Sequence, residues 1–340
     1  MESSIKLSLI ILCFSLFLFS CSKEKIRTPS TKKNAPTTEQ DETIQIPSKG
    51  LNDLFSRNLL DKIQLFTIDP NQNDYFITEK GTHISLTNTT FTDLSGNVIT
   101  EPFTLEYIEI FDRASMISTN MGTIAMKNNT LVPLVSGGEF HIQIPDNITF
   151  EGSIQIRLPI ENTTESDNYN SEMKKFKGGE FNSETIVWKE LDTDTVIIFM
   201  PWFGWCVESN VTRFYSLGIF PSDIGWTNCD VFYDDPRPKI NILIEVPEGF
   251  DSDNTRLFIL FDGEDNIAFP LTYYYDGVFT DFDGVLPIGA DVSIIALTEI
   301  EEQLHYAIID TQILENHQEN ISSFTQITPD ELQAIISSLP

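Results

Sequence analysis

A period of two is the feature that most limits what this chain can fold into. Phe103, Leu105 and Tyr107 alternate with Thr104 and Glu106. Phe140, Ile142 and Ile144 alternate with His141 and Gln143, and Ile154, Ile156 and Leu158 with Gln155 and Arg157. Far downstream, Ile240, Ile242, Ile244 and Val246 flank Asn241 and Glu245. Alternation sends one set of side chains to a core and the other to solvent, which is how a half-buried strand reads. Turn residues punctuate these runs: Ser95-Gly96-Asn97, Asn128-Asn129, Asp146-Asn147, Pro247-Glu248-Gly249, Asp262-Gly263 and Asp276-Gly277. Many short strands with close turns predict a mainly β fold built from two β-sandwich domains. The first spans residues 51–183. The second, immunoglobulin-like or transthyretin-like, spans 237–340, and residues 184–236 connect them.

Finer expectations follow from the same patterning. After Tyr107 the apolar phase slips to Ile108 and Ile110, which predicts a bulge. His141 alternates with apolar neighbours and is expected to face solvent. Ser136-Gly137-Gly138 reads as a turn, Glu161 to Gly179 as a polar loop, Thr195 to Met200 as a buried strand and Leu257 to Phe261 as a core strand. Two short helices are predicted. One covers about 51–61, with Leu51, Leu54, Phe55 and Leu59 on one face and Asn52 or Ser48 as cap. The other covers 329–338, where Thr328 caps, Pro329 occupies the first turn and Glu331 completes a capping box.

The order Gly81-Thr82-His83-Ile84, Phe91 to Thr100, Leu105-Glu106 through Phe111, Met116-Ile117 and Val135 to Glu139 resembles a module of Bacteroidota surface lipoproteins. That module is a β-sandwich distantly similar to the ZU5 module, and the resemblance covers about residues 64–160. The stretch Phe214 to Phe232, with Gly225-Trp226-Thr227-Asn228-Cys229-Asp230, resembles the same lipoproteins. The resemblance implies an exported sandwich protein and brings no catalytic residues with it.

The N-terminus agrees with export. Lys6 precedes the apolar run Leu7 to Phe19, which is shorter than the roughly 20 residues a membrane-crossing helix needs. Leu18-Phe19-Ser20-Cys21 resembles a lipobox. Residues 1–20 are therefore expected to be a signal peptide, and Cys21 the site of lipid attachment, since only a thiol forms the thioether. Two or three acyl chains, at about 0.8 kcal/mol per buried CH₂, hold more firmly than one. Residues 21–50 are polar and read as a disordered tether. Ser22-Lys23-Glu24 partly matches the export signal of surface-exposed lipoproteins, which favours the outward face of the outer membrane over the periplasmic one.

Composition limits the partners. The formal net charge of −30 repels nucleic acid and anionic headgroups. Acids gather near the C-terminus, and Asp281-Phe282-Asp283-Gly284 matches part of a calcium loop. A full loop needs a glutamate where Ala290 stands, so these acids read by default as turn residues. Four scattered histidines and the lack of C-x-x-C give no zinc site, and neither a metal nor a cofactor is expected. Cys206 and Cys229, placed by export in an oxidising compartment, suit either a disulfide or two buried thiols. Trp202, Trp205 and Trp226 suit either an aromatic platform for sugar or peptide or a small aromatic core. There is no P-loop, H-E-x-x-H or G-x-S-x-G motif. The expected function is a non-enzymatic, membrane-anchored envelope lipoprotein acting as a structural, adhesive or binding module, whose partner is a protein or a glycan. The alternative is a carbohydrate-binding accessory of a nutrient uptake system.

Overall fold

The computed structural model describes residues 50–72, 74–160, 170–182, 185–199, 213–281 and 283–340. The expected signal peptide and tether, together with Cys21, Trp202, Trp205 and Cys206, lie outside the described residues. In chain order the first strands are β1 (Gln64–Ile68), β2 (Tyr75–Ile77), β3 (His83–Ser85), β4 (Thr89–Asp93), β5 (Phe103–Ile110), β6 (Ile124–Lys127) and β7 (Thr130–Gln143). They continue as β8 (Ile148–Gly152), β9 (Ile154–Pro159), β10 (Lys174–Asn182), β11 (Thr185–Thr195), β12 (Ile197–Phe199), β13 (Phe214–Ile219) and β14 (Gly225–Phe232). The helices are α1 (Leu51–Leu60), α2 (Arg113–Ser118) and α3 (Pro329–Ser338). No helix among the described residues is long and apolar enough to cross a membrane.

The mainly β, sandwich-type architecture expected from the alternation is what forms. A seven-stranded sheet runs β1-β5-β7-β14-β10-β11-β6, and a five-stranded sheet runs β12-β13-β9-β3-β2. Between them lies a core holding Leu105, Tyr107, Phe140, Ile142, Ile156, Tyr215 and Leu217. Each such aliphatic or phenyl side chain contributes about 1.5–3 kcal/mol by leaving water.

The seven-stranded sheet is covered on its second face as well. There Ile110, Leu134 and Phe176 pack with Phe55 of α1, Met116 of α2 and Ile336 of α3. Phe258, Leu260, Ile295 and Leu297 from the C-terminal half join the same cluster. This double burial corrects the reading of β5. Its register with β1 and β7 is unbroken, so no bulge follows Tyr107. Tyr107 and Ile108 are both buried because each face has a core to enter.

The C-terminal half has a five-stranded sheet that includes Thr255–Phe261, Asp291–Ile300 and Gln303–Gln312, and a four-stranded sheet that includes Leu243–Glu245 and Val278–Thr280. Ile242, Ile244, Leu257, Ile259, Phe279 and Ile294 fill the core beside them. The buried strand expected at Leu257 to Phe261 is present.

Helix α3 has the predicted capping box, with Thr328 and Glu331 exchanging hydrogen bonds. Helix α1 forms where predicted, with Gly50 at φ +93° as its N-cap in place of Asn52. Ser48, the other expected cap, lies outside the described residues. Three further expectations are corrected. Ser136-Gly137-Gly138 lies inside β7. Lys174 to Gly179, expected in a loop, belongs to β10, where Lys175 is buried and its ammonium meets Asp223 at 2.8 Å. A lysine stem is apolar enough to line a sheet once its charge has a partner. Finally, β12 is an edge strand rather than a buried one, and Ile197 is 62% exposed.

Candidate binding face

The five-stranded sheet turns Phe76, Ile84, Ile156, Leu217 and Ile198 toward the core. Strand periodicity then points the residues between them outward. One row crosses all five strands in register: Ile77, His83, Arg157, Ser216 and Ile197. Its two ends are apolar and open, with Ile77 59% and Ile197 62% exposed. Its centre carries an imidazole beside a guanidinium. Singly exposed isoleucines are ordinary; what marks this pair is that they close both ends of one row around a charged centre.

Aromatic rings surround that centre. The Arg157 guanidinium sits 4.1 Å from the centroid of Phe199, a cation–π arrangement. His83 packs on Phe214 with centroids 4.5 Å apart. The Tyr75 hydroxyl lies 2.5 Å from His83 Nδ1. Burial, and then the charge of Arg157, lowers the His83 pKa. The ring is thus neutral at neutral pH, and its tautomer sets which way the hydrogen bond between Nδ1 and the phenol runs. Burial raises the Tyr75 pKa, with Arg157 opposing. Phe220, just past β13, adds a further exposed ring.

Arg157 is the unusual member. Its Nε is buried and has no hydrogen-bond partner. It forms no ion pair among the described residues. A guanidinium offers five donors in a planar fork suited to carboxylates. In a chain with far more acids than bases, one left unpaired among rings is equipped to meet an anion or a polar ring compound.

The residues singled out from sequence fall elsewhere. Trp226 lies on β14 in the other sheet, half-buried, with its ring 5.0 Å from His141. His141, expected to face solvent, is instead half-buried against that indole, and burial lowers its pKa to about 4. Cys229 is a free, fully buried thiol. Burial and the neighbouring Asp230 charge raise its pKa far above the ordinary range, which makes it a poor nucleophile. The expected pairing with Cys206 and the remaining platform members, Trp202 and Trp205, lie outside the described residues.

The partial calcium loop has a structural use. Asp281 accepts from the Ile242 and Val285 amides, each at 3.0 Å. Asp283 accepts from the Leu131 amide at 2.7 Å and so ties the two halves together. Among the described residues no three His, Cys, Asp or Glu side chains converge as a metal cluster.

Sequence reasoning placed His83 in the module-like stretch and Arg157 in an alternating strand, but did not join them. The available signal was Arg157 itself, an arginine at an outward position between Ile156 and Leu158. The strand pairing that sets it beside His83 joins residues more than seventy positions apart. No protein-family model matches the chain, and no curated protein matches it in sequence.

Proposed function

We propose that this chain is an envelope lipoprotein, held at the outer membrane through lipid on Cys21. In this reading it works as a non-enzymatic binding module through the outer face of its five-stranded sheet. The observation that carries the reading is the unpaired Arg157 guanidinium, centred among rings and flanked by exposed isoleucines on both edge strands. Such a face suits recognition: rings and aliphatic side chains supply area at low entropy cost, and the guanidinium supplies direction. A carbohydrate-binding role is the second reading. It rests on the exposed rings of Tyr75 and Phe220, on which sugar faces can stack.

Anchoring is tested by labelled palmitate and detergent-phase partitioning. Both signals are expected in the intact protein and absent from Cys21→Ala. Binding is tested with a glycan array and with capture from envelope extracts, comparing the intact protein with Arg157→Ala and Tyr75→Ala. Capture that falls at least tenfold in Arg157→Ala at unchanged melting temperature supports the face. Equal capture by both proteins removes it. Sugar binding lost in Tyr75→Ala selects the second reading.

A further inference from the structure

The centre of the seven-stranded sheet holds two carboxylates that water does not reach. Glu139 on β7 and Asp230 on β14 are both fully buried. Their strands are adjacent and antiparallel, with Asn228 opposite Glu139 and Asp230 opposite Ser136. Two steps along β14 thus match three along β7, so the extra residue sits at Gly137-Gly138. This bulge brings Ser136 and Glu139 to the same face of the sheet as Asn228 and Asp230. Glycine is required there. Gly138 has φ +133°, and a Cβ on it would lie 2.2 Å from the Phe111 ring; a Cβ on Gly137 would lie 2.7 Å from the Cys229 carbonyl.

The polar atoms in this cluster can be accounted for one by one. The Asn228 amide donates to Asp230 Oδ2. Asn228 Oδ1 accepts from the Cys229 amide at 2.8 Å and from the Ser136 hydroxyl at 3.2 Å. Ser136 Oγ accepts from the Gly138 amide at 3.1 Å. Three oxygens remain without a partner: both of Glu139 and Oδ1 of Asp230. Ser136 and the Gly137 amide lie near enough to lower the Asp230 pKa, but no donor meets Oδ1 with hydrogen-bond geometry. The two carboxylates feel one another, since the Asp230 charge raises the Glu139 pKa further above what burial alone does.

Among the described residues no basic side chain forms an ion pair with them. Lys174, whose backbone pairs with Asp230, sends its ammonium 2.7 Å from Glu190. Lys175, opposite Cys229, points to the other face and meets Asp223. The surrounding cluster is apolar and includes Ile110, Leu134 and Phe176. Two negative charges in such a place are untenable unless neutralised. One shared proton leaves one charge behind, and a proton on each carboxyl, toward which burial pushes both groups, is the state that competes with a bound cation. A divalent cation engages all three open oxygens and cancels both charges.

We infer that Glu139 and Asp230 are ligands of a buried calcium ion, with Asn228 and Ser136 as positioning residues. The donors are all oxygen, which selects a hard cation over zinc or copper. Glu139 presents two open oxygens together, and calcium accepts bidentate carboxylates and irregular shells completed by backbone carbonyls or water, whereas magnesium demands a near-octahedral shell.

The experiment uses the purified protein, prepared without chelator. Metal content is measured by mass spectrometry, and melting temperature is followed before chelation, after it, and after addition of calcium or magnesium. The expected result is about one calcium per chain, a melting temperature that drops by several degrees on chelation, and recovery with calcium. Glu139→Gln and Asp230→Asn should each lose the bound metal and the chelator response, and the milder Glu139→Asp serves if Glu139→Gln does not fold. Metal-free protein whose melting temperature ignores millimolar calcium and magnesium, but rises on acidification, overturns the inference in favour of protonated carboxyls. Metal retained by both Glu139→Gln and Asp230→Asn overturns it in favour of another site.

Discussion

Glu109 and Glu139 sit on neighbouring strands, β5 and β7, both buried, and the molecule treats them in opposite ways. Glu109 faces the sandwich core and is saturated. Its Oε1 accepts from Gln64 Nε2 at 2.9 Å and the Lys80 amide at 2.8 Å, and its Oε2 accepts from Thr78 at 2.7 Å and Thr82 at 2.8 Å. Glu139 faces the helix-covered side and accepts from nothing. A buried acid with four donors is a structural bracket that pins the β2–β3 hairpin to β5. A buried acid with none is either a defect or a site, and the glycine bulge built around it argues for a site.

The sharpest way to break the comparison is Glu109→Ala. It strands two hydroxyls and a backbone amide, and should cost about 4 kcal/mol in denaturant unfolding. A cost below about 1 kcal/mol would mean the bracket is not structural. Lys175→Met comes next, at about 3 kcal/mol, because it leaves Asp223 buried without its counter-charge. Replacing Asp223 as well, by Leu, should recover part of that loss.

Asp281 is an intermediate case, held by two backbone amides yet with a pKa raised by burial to about 6. A carboxyl whose folded pKa lies above its unfolded value stabilises the fold at low pH. That contribution is lost as pH rises from about 4 through about 6, and amounts to roughly 3 kcal/mol. Unfolding free energies between pH 4 and 7 should show this decline, and Asp281→Ala should flatten it. The smallest effect is expected for Glu139→Leu in chelated protein, within about 1 kcal/mol of the parent and toward greater stability. A loss as large as that of Glu109→Ala would make the two glutamates equivalent and erase the contrast.

Much of the fold was legible because alternation is a local property. The strands around Phe140, Ile154 and Leu257 and the Thr328 capping box were readable from neighbouring residues alone. The errors arose where a second layer intervenes. Tyr107 and Ile108 looked like a phase slip because one solvent face was assumed, whereas β5 has a core on each side. Lys174 to Gly179 looked like a loop because a lysine at a buried position makes sense only once Asp223 is beside it. Helix α2 escaped notice: its six residues are too few to show a period.

The candidate sites were less legible still. His83, Arg157, Glu139 and Asp230 each stand in an ordinary-looking strand or turn. What sets them apart is which neighbours they have and which they lack.

By itself the chain determined its strands, its two terminal helices and the acidity that shapes its partners, because period, capping chemistry and charge act over a few residues or over composition as a whole. Only the tertiary structure decided that Ser136-Gly137-Gly138 is a bulge rather than a turn, and that, among the described residues, Arg157 has no ion pair and Glu139 no hydrogen-bond donor. Hydrogen bonding and burial are settled between strands far apart in sequence, and an unmet donor or acceptor has no signature until those strands are side by side.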